Sequence, residues 1–235
     1  MASNRPWLEI NGVKSTTIAG LLITSVPPVA KPPRRYQLQT VDGLNGDIRT
    51  DLGYAAYDKT VGIGLAGSYD EDAIIAFFDQ SGTVIFSNEP DKVYTFDGIE
   101  GFAMERLARM RQAEIILHVQ PFKTSASETA KTLSGTTSVT NAGNRPSEPV
   151  LEITGTGTVG VSLDGTQLFS IAFPGTSTYI KIDTHEQEAY YSDGTFANRI
   201  VTGEYSAFRI PTGIHSIKLT GTVASAKIKG VSLWT

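Results

Sequence analysis

Four sets of residues in this chain are of types that do chemistry. The first is Gly62-Ile-Gly-Leu-Ala-Gly67, which has the G-x-G-x-x-G spacing of loops that let a backbone close on a dinucleotide pyrophosphate. That use needs the glycines in a turn after an apolar strand, at the head of a helix, within βαβ alternation. Here they alternate with Val61, Ile63 and Leu65. The motif therefore reads as the inside of a strand whose small face lies against another backbone. The second set is the three histidines, His118, His185 and His215. His118 falls within an apolar strand and His215 begins another. His185 lies in Asp183-Thr-His-Glu186, where Asp183, His185 and Glu186 could offer ligands to a metal. No second pair at metal-site spacing and no H-E-x-x-H accompanies it, so a solvated turn is the favoured reading. The third set is nucleophiles and carboxylates. There is no cysteine and no Gly-x-Ser-x-Gly elbow. Carboxylate pairs that hydrolyse glycosides meet only in the folded chain, and nothing in the sequence singles one out. The fourth set is aromatic: Tyr179, Tyr190, Tyr191, Phe196, Tyr205, Phe208 and Trp234. Such rings can stack on the apolar face of a sugar. The plainer reading, that most fill a core or an interface, is favoured. These residues predict no catalytic group, no metal and no cofactor, and hence no enzyme.

Composition narrows the classes further. The chain has 235 residues and a formal net charge of -4. That balance does not suit a protein that grips nucleic acid through its phosphates, so no sequence-specific nucleic-acid binding is expected. No apolar run reaches the roughly 18 residues that span a bilayer, so no membrane insertion is expected. The opening Met-Ala-Ser-Asn-Arg-Pro-Trp lacks the apolar stretch of a signal peptide. The absence of cysteine fits maturation in a reducing cytoplasm.

The elements that would position these residues are mostly strands. From Asn141 onward apolar residues recur at every second position, with no helical window. Strands are expected at Glu148–Thr154, Thr158–Leu163, Thr166–Phe173, Thr178–Asp183, Glu188–Ser192, His215–Thr222 and Ala226–Trp234. Asp164-Gly165 marks a hairpin. Many short strands with regular turns read as an all-β sandwich or jelly roll. The N-terminal part is mixed. Trp7–Ile10 ends at an Asn11-Gly12 turn. Ile18–Val26, Tyr36–Val41, Val61–Leu65, Val84–Phe86, Val93–Phe96 and Glu114–Gln120 read as strands, the last stopped by Pro121 because proline cannot donate to a ladder. Ser68-Tyr-Asp-Glu71 is a capping-box pattern before one short helix over Ala73–Phe78. Between Ile99 and Met110 the propensities favour a helix.

Pro27, Pro28, Pro32 and Pro33 fall within seven residues and impose an extended segment, closed by Arg34-Arg35-Tyr36. Stiffness lowers the entropy lost on docking, and arginines form bidentate pairs with carboxylates. Pro28, Pro32, Pro33, Arg34, Arg35 and Tyr36 are therefore expected to form an arm that contacts a neighbouring protomer. The Ser/Thr-rich stretch Thr124–Ser138, with one leucine and no aromatic residue, reads as a linker or edge segment. It separates two domains, residues 1–130 and 131–235.

The order of these pieces resembles the distal tail protein family of long, non-contractile-tailed bacteriophages. Leu8-Glu9-Ile10-Asn11-Gly12 looks like that family's first strand and turn, and Val41-Asp42-Gly43-Leu44-Asn45-Gly46-Asp47 like its glycine-rich turn. Phe102-Ala-Met-Glu105-Arg106-Leu107, Arg111 and then Ile115–Phe122 look like the end of its ring domain. Asn141-Ala-Gly143 with Glu148–Ile153 looks like the start of its galectin-like second domain, and Ile210-Pro211-Thr212-Gly213 like its final hairpin. The resemblance implies a mainly β fold. Its N-terminal part would be a β-rich ring domain with one short helix, and its C-terminal part a galectin-like, carbohydrate-binding-module-like β-sandwich. It also implies an extended, irregular backbone around Phe102–Arg111, against the helical propensity. The implied role is structural. A homohexameric ring at the distal end of the tail tube would join the tube protein to the tail-tip or baseplate hub protein, hold receptor-binding parts, and leave a channel for DNA. The protein would reside in the virion tail after assembly in the host cytoplasm. The alternative is a carbohydrate-binding or adhesion β-sandwich without a ring function.

Overall fold

The computed structural model describes residues 5–101, 104–176 and 178–235, with backbone only at 105 and 106. The chain forms two compact units, one up to Ala126 and one over Ser127–Trp234. Both are mainly β.

In the first unit, β1 (Leu8–Ile10) turns through Asn11 and Gly12 into β2 (Val13–Lys14), with Ile10 opposite Val13. Asn11 and Gly12 have φ of 48° and 84°, the pair of positive values a tight two-residue hairpin turn requires. A 3-10 turn at Ser15–Thr17 leads into β3 (Leu21–Ser25). After the proline segment come β4 (Arg34–Thr40), β5 (Asp47–Tyr54) and β6 (Tyr57–Leu65). Helix α1 (Glu71–Phe78) precedes β7 (Gly82–Phe86) and β8 (Lys92–Ile99), and helix α2 (Met104–Met110) precedes β9 (Gln112–Ser125). The strands form one antiparallel sheet in the order β2-β1-β7-β8-β9-β6-β3, while β4 and β5 pair only with each other. Ile10, Ile63, Val84, Phe96, Leu117, the α1 residues Ile74, Phe77 and Phe78, and Leu107 of α2 share one buried core.

Three expectations change here. The cap of α1 is Asp70, whose side chain accepts the Ala73 N–H at 3.1 Å, rather than Ser68. Asp70 immediately precedes the helix with extended backbone, where a side-chain oxygen reaches the free N–H groups of the first turn. Strand β9 does not stop at Pro121. Its partner β6 ends at the Tyr57–Val119 pair, and on the other side the register with β8 slips, with Tyr94 opposite Lys123 and Phe96 opposite Val119. Pro121 lies in that bulge, where its missing N–H costs no ladder bond. Met104–Met110 is helical, as its propensities indicate, and not extended. The helix ends at Arg111, where φ is +57°. Phe102, Ala103 and the side chains at 105 and 106 lie outside the described residues, as do residues 1–4.

The second unit contains β10 (Lys131–Thr132), β11 (Thr136–Asn141), β12 (Val150–Leu163), β13 (Thr166–Ala172), β14 (Thr178–Asp183), β15 (Glu188–Tyr191), β16 (Val201–Gly203) and β17 (Gly213–Lys229). Two expected pairs of short strands are single long ones. Glu148–Thr154 and Thr158–Leu163 join in β12, and the runs from His215 and Ala226 join in β17. The two pair from Val150 opposite Lys229 to Leu163 opposite Ile217, with one register shift between Thr154 and Gly155 and a wider break where Thr156 faces Thr222 and the next pair is Gly160 with Thr220. On one side of this break they join β10, β14 and β15; on the other they join β11, β13 and β16. Two long strands thus serve two layers, a way of making the corner between packed sheets. Leu151, Ile153, Ile182 and Ile228 from one layer and Val161, Phe169, Ile171 and Ile217 from the other close a single core. The polar stretch before the unit supplies edge strands from Lys131 onward.

The corner rests on Gly221. Its φ is +94°, and a Cβ there would overlap the carbonyl oxygen of Thr158. Gly221→Val is therefore expected to destabilise the protein by on the order of 2–3 kcal/mol. Urea denaturation followed by circular dichroism checks this, and an unchanged midpoint would show that the corner does not need glycine.

Candidate functional site

The proline segment and the strands after it form an arm with a fixed base. Prolines carry carbonyls but no N–H, so Pro27–Pro33 cannot be laddered into the sheet in the usual way. Side chains supply the donors instead. Asn88 Nδ2 donates to the Pro27 carbonyl at 2.9 Å, and Lys59 Nζ donates to the Pro28 carbonyl at 3.0 Å. The Ala55 N–H donates to the Pro33 carbonyl at 2.9 Å.

Lys59 points inward from β6, 3% exposed, in the same alternation as Val61, Ile63 and Leu65. Its ammonium lies 4.8 Å from the centre of the Tyr94 ring and 5.5 Å from those of Phe86 and Tyr57. The nearest charge balance is Glu89, in the turn between β7 and β8. Glu89 accepts from Lys123 Nζ at 2.7 Å and from the Tyr94 hydroxyl, and Lys123 Nζ also reaches that hydroxyl at 3.3 Å. Burial pulls Lys59 down from 10.5 to about 8, opposed by the charge of Glu89 and assisted by that of Lys123. Burial, then the hydrogen bond to Glu89, pushes the Tyr94 phenol well above its usual value.

Beyond this base the arm is open to solvent. Pro27 and Pro32 are buried, whereas Pro28, Pro33, Arg34, Arg35 and Tyr36 are exposed. Strands β4 and β5 form a hairpin with Leu38 opposite Arg49 and Gln39 opposite Ile48. Leu38 is 54% exposed and Leu52 50%. Arg34 pairs with Asp51 and stacks over Tyr54, while Arg49 stacks over Tyr36 with 4.1 Å to the ring centre. The Gly53 N–H, followed in weight by Arg34, holds the Asp51 carboxyl below its usual range. Arg34 thus has a carboxylate within its own hairpin rather than only across a contact. Tyr54 meets Phe122 edge to face at 5.4 Å between ring centres, tying the hairpin root to β9. An isolated two-stranded hairpin is marginal in water, and its outer edges offer unpaired backbone groups.

The remaining candidate residues do not converge. Gly62 and Gly64 lie inside β6, and a Cβ on Gly62 would come within 2.5 Å of the Thr24 and Ser25 hydroxyls of the adjoining strand. His118 pairs with Asp58 at 2.7 Å, His185 with Glu148 at 2.7 Å and His215 with Asp164 at 2.6 Å. Asp183 accepts the backbone N–H groups of His185 and Glu186, the solvated-turn arrangement. Among the described residues no group of three or more histidines and carboxylates is placed to hold a metal. Of the aromatic set, Phe208 is buried and Tyr205 packs against the core, but Tyr190 and Phe196 meet at the surface. Sequence reasoning missed Lys59, Asn88, Glu89, Tyr94 and Lys123. A lysine at an inward position of an alternating strand was the available signal.

No family model and no curated protein matches the sequence. Among solved structures, the chain shares its fold with the SPP1 Dit (gp 19.1) protein, described as a paradigm of the hub adsorption apparatus in phages infecting Gram-positive bacteria. The TM-score is 0.64 at 12% identity, over 98% of this chain and 99% of that one. It is also similar to chains of the phage P2 baseplate in its activated conformation. The structure with Ca gives a TM-score of 0.49 at 10% identity over 98% of each chain. The structure with Sr gives 0.46 at 11% identity over 96% of this chain and 97% of that one.

Two outcomes test the base of the arm. Between about pH 8 and 10 the unfolded chain holds a proton on Lys59 that the folded chain does not, so stability is expected to rise with pH across that window. Above about 10 the raised phenol of Tyr94 reverses the trend, because the unfolded chain then loses its proton first. Lys59→Met is expected to flatten the rise, read as melting temperature against pH. Glu89→Leu, which strips the counter-charge from Lys123 and Lys59, is expected to cost about 3 kcal/mol at pH 7 by urea denaturation.

Proposed function

We propose that this chain is a structural component of a phage tail, a distal tail protein that forms a homohexameric ring where the tail tube meets the tail tip or baseplate hub. The carrying observation is the full-length fold likeness to SPP1 Dit, reached by a chain whose motif order independently resembles the distal tail family. The ring is built from the first domain, residues 1–130. Its partners are the tube protein on one side and the tip or hub protein on the other. The second, galectin-like domain, residues 131–235, offers a place for receptor-binding parts. DNA crosses the channel without being gripped, which the net charge of -4 favours. The protein is a virion component assembled in the host cytoplasm, and its role requires no catalysis.

The arm supplies the contact between protomers. Its hairpin has open strand edges and exposed leucines, and its base is held rigid by Lys59 and Asn88. The occupant that suits such an arm is a second copy of this chain, because cyclic assembly covers the same patch on every subunit at once. Arg35 and Tyr36 lie at the exposed root, where carboxylates of a neighbour can be reached.

Native mass spectrometry of the 25.2 kDa chain alone, and then with its tube and hub neighbours, tests the ring. A hexamer is expected in at least one condition. Deleting residues 28–33, or introducing Leu38→Glu with Leu52→Glu, is expected to raise the concentration needed for assembly by roughly tenfold or more while each unit still melts cooperatively. A strict monomer or dimer in both conditions would favour the binding-module alternative.

A further inference from the structure

The outer face of the second unit carries a built aromatic shelf. In the β14–β15 pair, Lys181 lies opposite Tyr190, while the neighbouring Ile180, Ile182 and Ala189 face the core. Tyr179, Lys181 and Tyr190 therefore share the outward side. After Tyr191 the chain turns tightly: the Tyr191 N–H donates to the Thr195 carbonyl at 2.9 Å, and Asp193 accepts from both the N–H and the hydroxyl of Thr195. That turn brings Phe196 back opposite Tyr190 in a β-bridge. The Ala197 N–H then donates to the Ala189 carbonyl at 2.7 Å, fixing the return.

The two rings lie 5.5 Å apart with their planes only 33° from parallel. The core pairs Phe86–Tyr94 and Phe169–Phe208 meet edge to face instead, at 68° and 80°. Phe196 is 68% exposed, so an apolar ring stands largely in water beside Tyr190. Beside it opens a shallow pocket of about 400 Å³ lined by Tyr179, Lys181, Glu186, Tyr190 and Ser192 among others, within the size range of small-ligand sites. Glu186 reaches into this group and accepts the Tyr190 hydroxyl at 2.9 Å.

We propose that this shelf binds a neutral saccharide, with a sugar ring stacked on Phe196 and Tyr190 and its hydroxyls bonded to Glu186, Lys181 and Ser192. The apolar C–H face of a pyranose packs on an aromatic plane, while its rim needs both donors and acceptors. A carboxylate, hydroxyls and an ammonium that lies over the Tyr190 ring at 5.6 Å, beside the tilted Phe196 ring, meet both demands. The charge balance selects the class of sugar. Lys181 and Glu186, the two charged residues that line the pocket, offset each other, and Lys181 already faces Asp183 at 3.8 Å, so the site favours a neutral glycan over a phosphate- or uronate-bearing one. The backbone bonds of the turn hold the shelf in its binding shape beforehand, which limits the entropy lost on binding. This site is independent of ring formation.

The test uses the full chain, fluorescently labelled, on an array of neutral oligosaccharides of hexoses and N-acetylhexosamines beside phosphorylated and uronate glycans. Hits are titrated by saturation-transfer NMR. Binding to a neutral glycan at roughly millimolar or lower Kd is expected. Phe196→Ala and Tyr190→Ala should each weaken it by roughly tenfold, with unchanged melting temperature and unchanged native mass. Tyr190→Phe, which keeps the stacking surface, should retain most of it. The proposal is overturned by no neutral glycan bound at about 10 mM, by preference for the anionic glycans, or by undiminished binding in both alanine variants. A change in oligomer mass on Phe196→Ala without any saccharide binding would assign the shelf to a protein contact instead.

Discussion

The buried cations beneath the arm of the first unit depend on one carboxylate in one turn. Glu89 sits between β7 and β8, where its N–H donates to the Phe86 carbonyl and its own carbonyl accepts from Lys92. From there its side chain balances the buried Lys123 and, at longer range, Lys59. A lysine in an apolar interior costs several kcal/mol unless its charge is matched. The match lets Lys59 stay buried and reach the Pro28 carbonyl, while the adjacent Asn88 holds Pro27. The same turn thus sets both where the arm leaves the sheet and how firmly. The polar network serves direction more than stability, since hydrophobic residues of similar volume would fill this space as well.

The second unit is organised by a different constraint. Its core is apolar, and its shape comes from two strands long enough to belong to both layers. A continuous strand pair resists folding onto itself unless some residues can leave the ladder. The bulge between Thr156 and Gly160 and the positive φ of Gly221 provide that release at the same level on both strands. The outward sides of the layers are then free to differ, and the aromatic shelf occupies one of them.

The two units differ in what they expose. The first carries a hairpin whose strands pair with each other and whose leucines are open to solvent. The second has a closed apolar core and a surface that carries a pair of aromatic rings. Likeness of fold at 12% identity over nearly the whole of both chains shows how little of such an architecture resides in particular side chains. Alternation, turn residues and a few compensated polar groups are enough to maintain it.

What the sequence determined by itself is what depends on neighbours along the chain. The Asn11-Gly12 hairpin, the strand holding Gly62 and Gly64, the extended prolines and the alternating strands of the second unit were all legible there, because period, φ preference and missing N–H groups are local properties. Lys59 was missed, although it stands two positions before Val61 in the same alternation. Its partners were not legible there, since Pro28 lies 31 positions away and Glu89 lies 34 positions from Lys123. The end of β9 was misjudged for the same reason: Pro121 is tolerated only because β6 has ended and β8 has slipped. Phe196 and Phe208 are the same residue in the same unit, yet one stands in water and the other in the core. Strand register and the path of each turn decided that, and register is set by the pairing of distant segments, a free-energy choice that no single window of residues contains.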